Sequence, residues 1–171
     1  MRDLTLSLAM LATISGVILP GISGVPAAGA AGAAGAGAEE TIDATDPARI
    51  LAVAQNYGEA ALTTDNLGDP LIEGRIGEKD YNLFFYGCDE GRECKSLTFA
   101  ATWESDDLTD EKMAGWNREK RFGKAYLDQD GNATVEISVN LHGGVTHANF
   151  DDTIDWWRLV LAEFAEYFDF E

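Results

Sequence analysis

Positive charge is scarce in this chain of 171 residues: 12 Lys and Arg stand against 30 Asp and Glu, a formal net charge of −18. A nucleic-acid binder needs cations to replace the counterions of a phosphate backbone, and docking on anionic lipid needs them as well, so both function classes are excluded. Cysteine is nearly as scarce. Cys88 and Cys94 cannot build a four-thiolate zinc site and leave either one bridge or two thiols. Catalytic signatures are missing too. No Gly-x-Ser-x-Gly elbow occurs after residue 38, and neither a Gly-x-x-x-x-Gly-Lys-Ser/Thr loop nor a Gly-x-Gly-x-x-Gly run is found. What the chain does have is a 46% share of hydrophobic residues, enough for one packed core and too many for a disordered chain.

Residues 1–38 read as a leader outside the fold. Arg2 supplies a thin positive start beside Asp3, and Leu4 to Leu19 then runs uncharged for about sixteen residues, short of the roughly twenty a spanning helix needs. Pro20-Gly21 breaks the run, and Ala28-Gly29-Ala30 and Ala36-Gly37-Ala38 follow as small-residue cleavage options, the pattern of a secretory signal. Removing this segment deletes one base and one acid, so the remaining chain keeps the whole charge. The expectation is an exported protein, periplasmic or secreted, with a single domain over residues 39–171.

Export bears on the two cysteines. They flank Asp89-Glu90-Gly91-Arg92-Glu93, polar residues between an aromatic-rich run, Asp80 to Tyr86, and an alternating one, Lys95 to Trp103. That is a hairpin loop, and in an oxidising compartment the pair reads as a structural disulfide. A redox dithiol uses Cys-x-x-Cys at a helix start instead.

Asp46-Pro47 opens a first helix with Ile50, Leu51, Ala54 and Tyr57 on one face and Gly58 at its end. Strands are predicted at Ala60–Thr64 and Leu71–Ile76, then on either side of the cysteine loop. Leu108-Thr109-Asp110 starts a second helix running to about Lys120, and Phe122–Leu127 and Thr134–Leu141 pair across Asp128-Gln129-Asp130-Gly131-Asn132. In the last helix Phe150, Ile154, Trp157, Leu161, Phe164 and Phe168 recur at steps of four and three, widened by Trp156, Val160 and Tyr167. Asn149 is its expected cap. A helix clasped by sheet on one side and by the first helix on the other accounts for so wide an arc. The alternative is that part of it binds a second copy or a protein partner. Helices alternating with antiparallel hairpins give an α+β domain, an antiparallel sheet with packed N- and C-terminal helices.

Gly68-Asp69-Pro70-Leu71-Ile72, the Cys88/Cys94 hairpin, Trp116-Asn117-Arg118-Glu119 leading into Arg121-Phe122-Gly123-Lys124-Ala125-Tyr126-Leu127, Gly143-Gly144-Val145, and the helix carrying Trp157 come in an ordered set. This set resembles the YbjN family of bacterial sensory transduction regulators, over about Asp46 to Phe168. The resemblance implies a fold like that of type III secretion chaperones, small α+β proteins that pair and bind other proteins. It implies no catalytic residue and no cofactor.

The candidate partner surface is therefore Trp116, Asn117, Gly143, Gly144, Trp156, Trp157, Val160, Phe164 and Tyr167, serving a protein partner or a homodimer. Two alternatives compete with this non-enzymatic binding or regulatory reading. One is a metal- or small-molecule-dependent enzyme using His142 and His147 with Asp151 or Asp152, against which stands the usual need for three protein ligands. The other is a passive acidic envelope protein. Asp128 to Asn132 does not make a calcium loop, since Ala133 stands where Gly is needed and Val139 where Glu is. Arg118, Lys120, Arg121 and Lys124 form the one cationic cluster. It either pairs internally with the ten acids that residues 125–171 hold against one base, or meets an acidic partner.

Overall fold

A computed structural model describes residues 40–170, and the predicted leader lies outside them. A two-residue strand, β1 (Thr41–Ile42), precedes helix α1 (Pro47–Ala54). Asp46 caps α1 by accepting from the Arg49 amide, with Pro47 at the first helical position where no N–H is needed. The helix stops at Ala54, before the predicted Gly58. Gly58 instead brings the chain against Arg75, where an added Cβ would stand 2.0 Å from the Arg75 carbonyl oxygen.

Strands β2 (Glu59–Thr64), β3 (Pro70–Ile76), β4 (Lys79–Tyr86) and β5 (Ser96–Trp103) follow as an antiparallel meander. Helix α2 (Asp110–Glu119) leads to β6 (Lys124–Leu127) and β7 (Ala133–Asn140), then to β8 (Val145–Thr146) and α3 (His147–Phe168). The main sheet has the order β2-β3-β4-β5-β7-β6, and β1 pairs with β8 separately. β7 inserts beside β5, so the β6-β7 hairpin closes the far edge. The α+β class is as expected; the short β1-β8 pair is too brief to leave a sequence pattern.

Alternation along the strands sorts the two faces. Tyr81, Leu83 and Phe85 of β4, Leu97, Phe99 and Ala101 of β5, and Val135 of β7 point to the buried side. There Trp157 of α3 lies 6.2 Å from Tyr81 and 5.6 Å from Phe99, ring centre to ring centre. The opposite face carries Asn82, Ala100 and Glu136 in one cross-strand row, with Thr98 bonded to Ser138 and Thr102 to Thr134 at 2.9 Å each.

α3 is capped by Thr146, whose hydroxyl accepts from the Asn149 amide, so the cap lies three residues before the predicted Asn149. At its other end Asp169 turns left-handed (φ 58°), the Phe170 amide bonds the Ala165 carbonyl, and the Phe170 ring stacks on Trp103. The cover expected from α1 is small. Tyr57, just beyond α1, donates to the Asp151 carbonyl at 2.8 Å, while α2 supplies the main flank through Trp116.

Candidate partner surface

The candidate residues divide by burial. Trp116, Trp157 and Phe164 are wholly buried and Val160 is 6% exposed, so these four are core and present no face to a partner. Trp157 is covered by Tyr81 and Phe99 of the sheet, and for the other three the reason lies in the loop between α2 and β6. Gly123 takes φ +80°, and an added Cβ would stand 2.7 Å from Val160 and 3.0 Å from Val135. Only a glycine lets the loop press this closely on α3. Trp116 is fixed at the same place, since its indole N–H donates to the Gly123 carbonyl at 2.6 Å. Its ring stands edge-on to Phe164 and Tyr167, and so closes the core that an isolated helical stripe leaves open.

Asn117 has a structural partner of its own. Its side-chain amide donates to the Ala125 carbonyl and accepts from the Ala125 amide, both at 2.8 Å. This occupies the outer edge of β6 as a neighbouring strand would.

What stays exposed is a ridge along α3: Trp156 (38%), Leu159 (45%) and Tyr167 (38%). Spacings of three and eight place them on one side of the helix. Phe122 stands edge-on to Trp156 at 4.0 Å, and Trp156 donates to Asp152 at 3.1 Å, which holds the indole in one orientation. A groove of about 220 Å³ opens between Phe122, Trp156 and Leu159, edged by Lys120, Arg121 and Glu163. Leu159 and Phe122 lie outside the predicted set; Leu159 sits just beside the periodic stripe, which is its signal.

The cationic cluster is mostly paired internally. Lys120 meets Glu163 at 3.1 Å, Lys124 meets Glu136 at 3.1 Å and Arg118 meets Glu111 at 3.2 Å. Such exposed pairs each contribute about 0–1 kcal/mol. Arg121 has no carboxylate within ion-pair distance among the described residues, and its guanidinium lies 4.9 Å from the Phe122 ring centre at the groove rim.

Gly143 and Gly144 lie elsewhere. Both take positive φ, 85° and 83°, to turn β7 into β8 at the start of α3. Tyr167 is at the far end of that 22-residue helix, about 30 Å away at 1.5 Å per residue. The predicted set is thus two places, not one. His142 and His147 are exposed in this turn and at the helix start, and among the described residues no group of three or more His, Cys, Asp and Glu side chains is arranged to hold a metal. Among the same residues no helix is long and apolar enough to cross a membrane. Cys88 and Cys94 are joined as a disulfide.

Compared with known proteins, the chain matches no curated protein and no solved structure. One family model does match, over residues 46–170, from the N-cap of α1 to the last described residue, and its description reads "Putative bacterial sensory transduction regulator". The chain belongs to the YbjN family.

Proposed function

We propose that this chain is a non-enzymatic binding and regulatory protein of the cell exterior that holds a protein partner on the Trp156–Leu159–Tyr167 ridge of α3. The single observation that carries the reading is the division of the α3 arc. Its stripe is sealed in the core while Trp156 and Leu159 stay exposed beside Phe122 in a groove. Scattered exposed apolar residues are ordinary on a folded protein, whereas contiguous ones bordered by charge mark interaction sites. Tryptophan is the residue type that most often dominates binding energy when its pocket is desolvated. The family's regulatory description supports binding over catalysis, and the Cys88–Cys94 bridge supports an oxidising compartment. The chaperone-like character implied by the resemblance fits capture of a protein client.

The test is in-cell cross-linking from a photoreactive residue placed at Leu159, with the envelope fraction analysed for adducts. A discrete adduct that disappears in Trp156→Ala supports the reading. Cross-linking only to a second copy reassigns the ridge to self-association. Adducts that persist in Trp156→Ala, or no adduct at all, favour an acidic envelope protein without a partner at this site.

A further inference from the structure

The two edges of the main sheet are treated differently. At β6 the side chain of Asn117 occupies the outward N–H and C=O of Ala125. At β2 no described strand pairs with the outer side, and Ala61 to Thr64 are exposed. The outward residues can be identified. Gln55 donates from its side chain to the Ala60 carbonyl at 3.2 Å, so that carbonyl points away from β3. Antiparallel strands send the N–H and C=O of alternate residues to the same side, so Leu62 and Thr64 present theirs outward with Ala60. Gln55 covers one of these groups, and among the described residues no strand pairs with the rest.

Native sheets blunt a free edge with charge, proline or a bulge. Ala60-Ala61-Leu62-Thr63-Thr64 has neither charge nor proline, pairs in unbroken register with β3, and leaves Leu62 43% exposed. We propose that β2 is a docking edge that adds an extended segment of another polypeptide as a seventh strand. The segment is apolar or Thr-rich at its centre and cationic at its ends.

Charge selects this occupant over a second copy. The strand begins with Glu59 and is followed by Asp65, and Glu73 stands beside Ala61 on the open face. The nearest cation, Arg75, is held bidentately by Asp80 at 2.7 and 2.8 Å. A Lys of the added strand reaches Glu59 and Glu73 across a concavity of about 590 Å³ that these residues line with Ala61. Two copies pairing Leu62 with Leu62 antiparallel would instead set Glu59 opposite Asp65 twice, on chains that each carry −18. This edge is independent of the α3 ridge, and the experiment separates the two.

The probe is a fluorescein-labelled peptide of alternating Thr and Val with Lys at each end, titrated with the purified chain and read by anisotropy. Saturable binding is expected, weakened about tenfold when alternate peptide amides are N-methylated and about tenfold in Leu62→Pro. Leu62→Pro removes an outward N–H and no β2–β3 hydrogen bond, and its thermal unfolding shows whether the sheet tolerates the fixed φ of proline. The N-methylated peptide needs no protein variant and stands if Leu62→Pro fails to fold. Trp156→Ala is expected to bind the peptide like the parent chain. Absence of saturable binding, equal binding of the N-methylated peptide, or equal binding of a Glu-ended peptide overturns the proposal. A dimer that sediments as monomer after Leu62→Lys overturns it in favour of a second copy.

Discussion

The side-chain amide of Asn117 and the backbone of Ala125 exchange two hydrogen bonds, both 2.8 Å long, that join the end of α2 to the edge of β6. An asparagine has the donor and the acceptor at the spacing a β-strand presents, so one side chain replaces a strand. Asn117→Ala gives up both bonds and leaves two backbone groups dependent on water. The expected cost is about 2 kcal/mol, at roughly 1 kcal/mol per bond. Asn117→Asp keeps the acceptor for the Ala125 amide but turns a lone pair on the Ala125 carbonyl, so it recovers little. Urea unfolding of the two variants measures this, and equal stability with the parent chain would refute the strand-mimic role.

Gly123 tests the packing of the α2–β6 loop on α3. Gly123→Ala has to accommodate a methyl group 2.7 Å from Val160 at a φ of +80°. Both penalties act in the folded state, and together they are expected to lower stability by about 2–4 kcal/mol. Gly143→Ala shares the positive φ but meets nothing within 4 Å, so it carries the backbone penalty alone. The difference between the two in denaturant midpoint isolates the steric part.

Adjacent tryptophans make a second paired test. Trp157 is wholly buried between Tyr81 and Phe99, and Trp157→Ala is expected to cost about 3–5 kcal/mol. Trp156 is 38% exposed and touches mainly Phe122 and Asp152. Trp156→Ala is expected to cost about 1 kcal/mol or less. Comparable losses for the two would contradict the division between core stripe and free ridge.

That division shows where sequence stops being informative. The steps of four and three from Phe150 to Phe168 identified the helix and its apolar face, and the Asp-Gly pair at residues 130–131 identified the β6-β7 hairpin. Periodicity reports direction, however, and not what covers a face. Val160 and Phe164 are core because Gly123, about 40 residues earlier, admits the α2–β6 loop and its Trp116 against them, a relation between distant positions with no local pattern. Asn117 is similar: its partner is eight residues away across a turn whose shape depends on Gly123. Asn149 and Thr146 are both good caps for α3, and β8 pairing with β1 decides in favour of Thr146. The edge position of Leu62 has no signal within the predicted strand Ala60–Thr64 and appears only in the sheet order.

The cysteine bridge closes a short loop, a sequence separation of 6. The loop is also held without it, since Asp89 and Arg92 exchange two backbone hydrogen bonds. On the chain-entropy account, Cys88→Ser is expected to lower stability by about 2 kcal/mol without altering the fold. Thermal unfolding with and without reductant should then differ for the parent chain and coincide for the variant. A variant that fails to fold in either condition would show that the bridge does more than restrict the unfolded chain.

Alkaline titration addresses the core directly. Burial pushes Tyr81 up to about 12. Tyr57 and Tyr126 are raised to about 12 as well, by desolvation first and then by Asp151 and Glu136. A raised folded-state value means the folded chain favours the protonated phenol. The resulting stability is complete below the unfolded value of 10.0 and is lost as pH rises through that value to about 12. Phenolate absorbance should therefore lag that of a free tyrosine and then rise together with unfolding. Tyr81 dominates this loss because its hydroxyl is buried and has no hydrogen-bond partner among the described residues, so the anion has nothing to stabilise it. Tyr81→Phe gives up no protein hydrogen bond. It is expected to match the parent chain at neutral pH and to unfold at a higher pH on the alkaline side. A Tyr81→Phe variant with an unchanged alkaline midpoint would place the limiting group elsewhere, and Tyr126→Phe would then be the informative comparison.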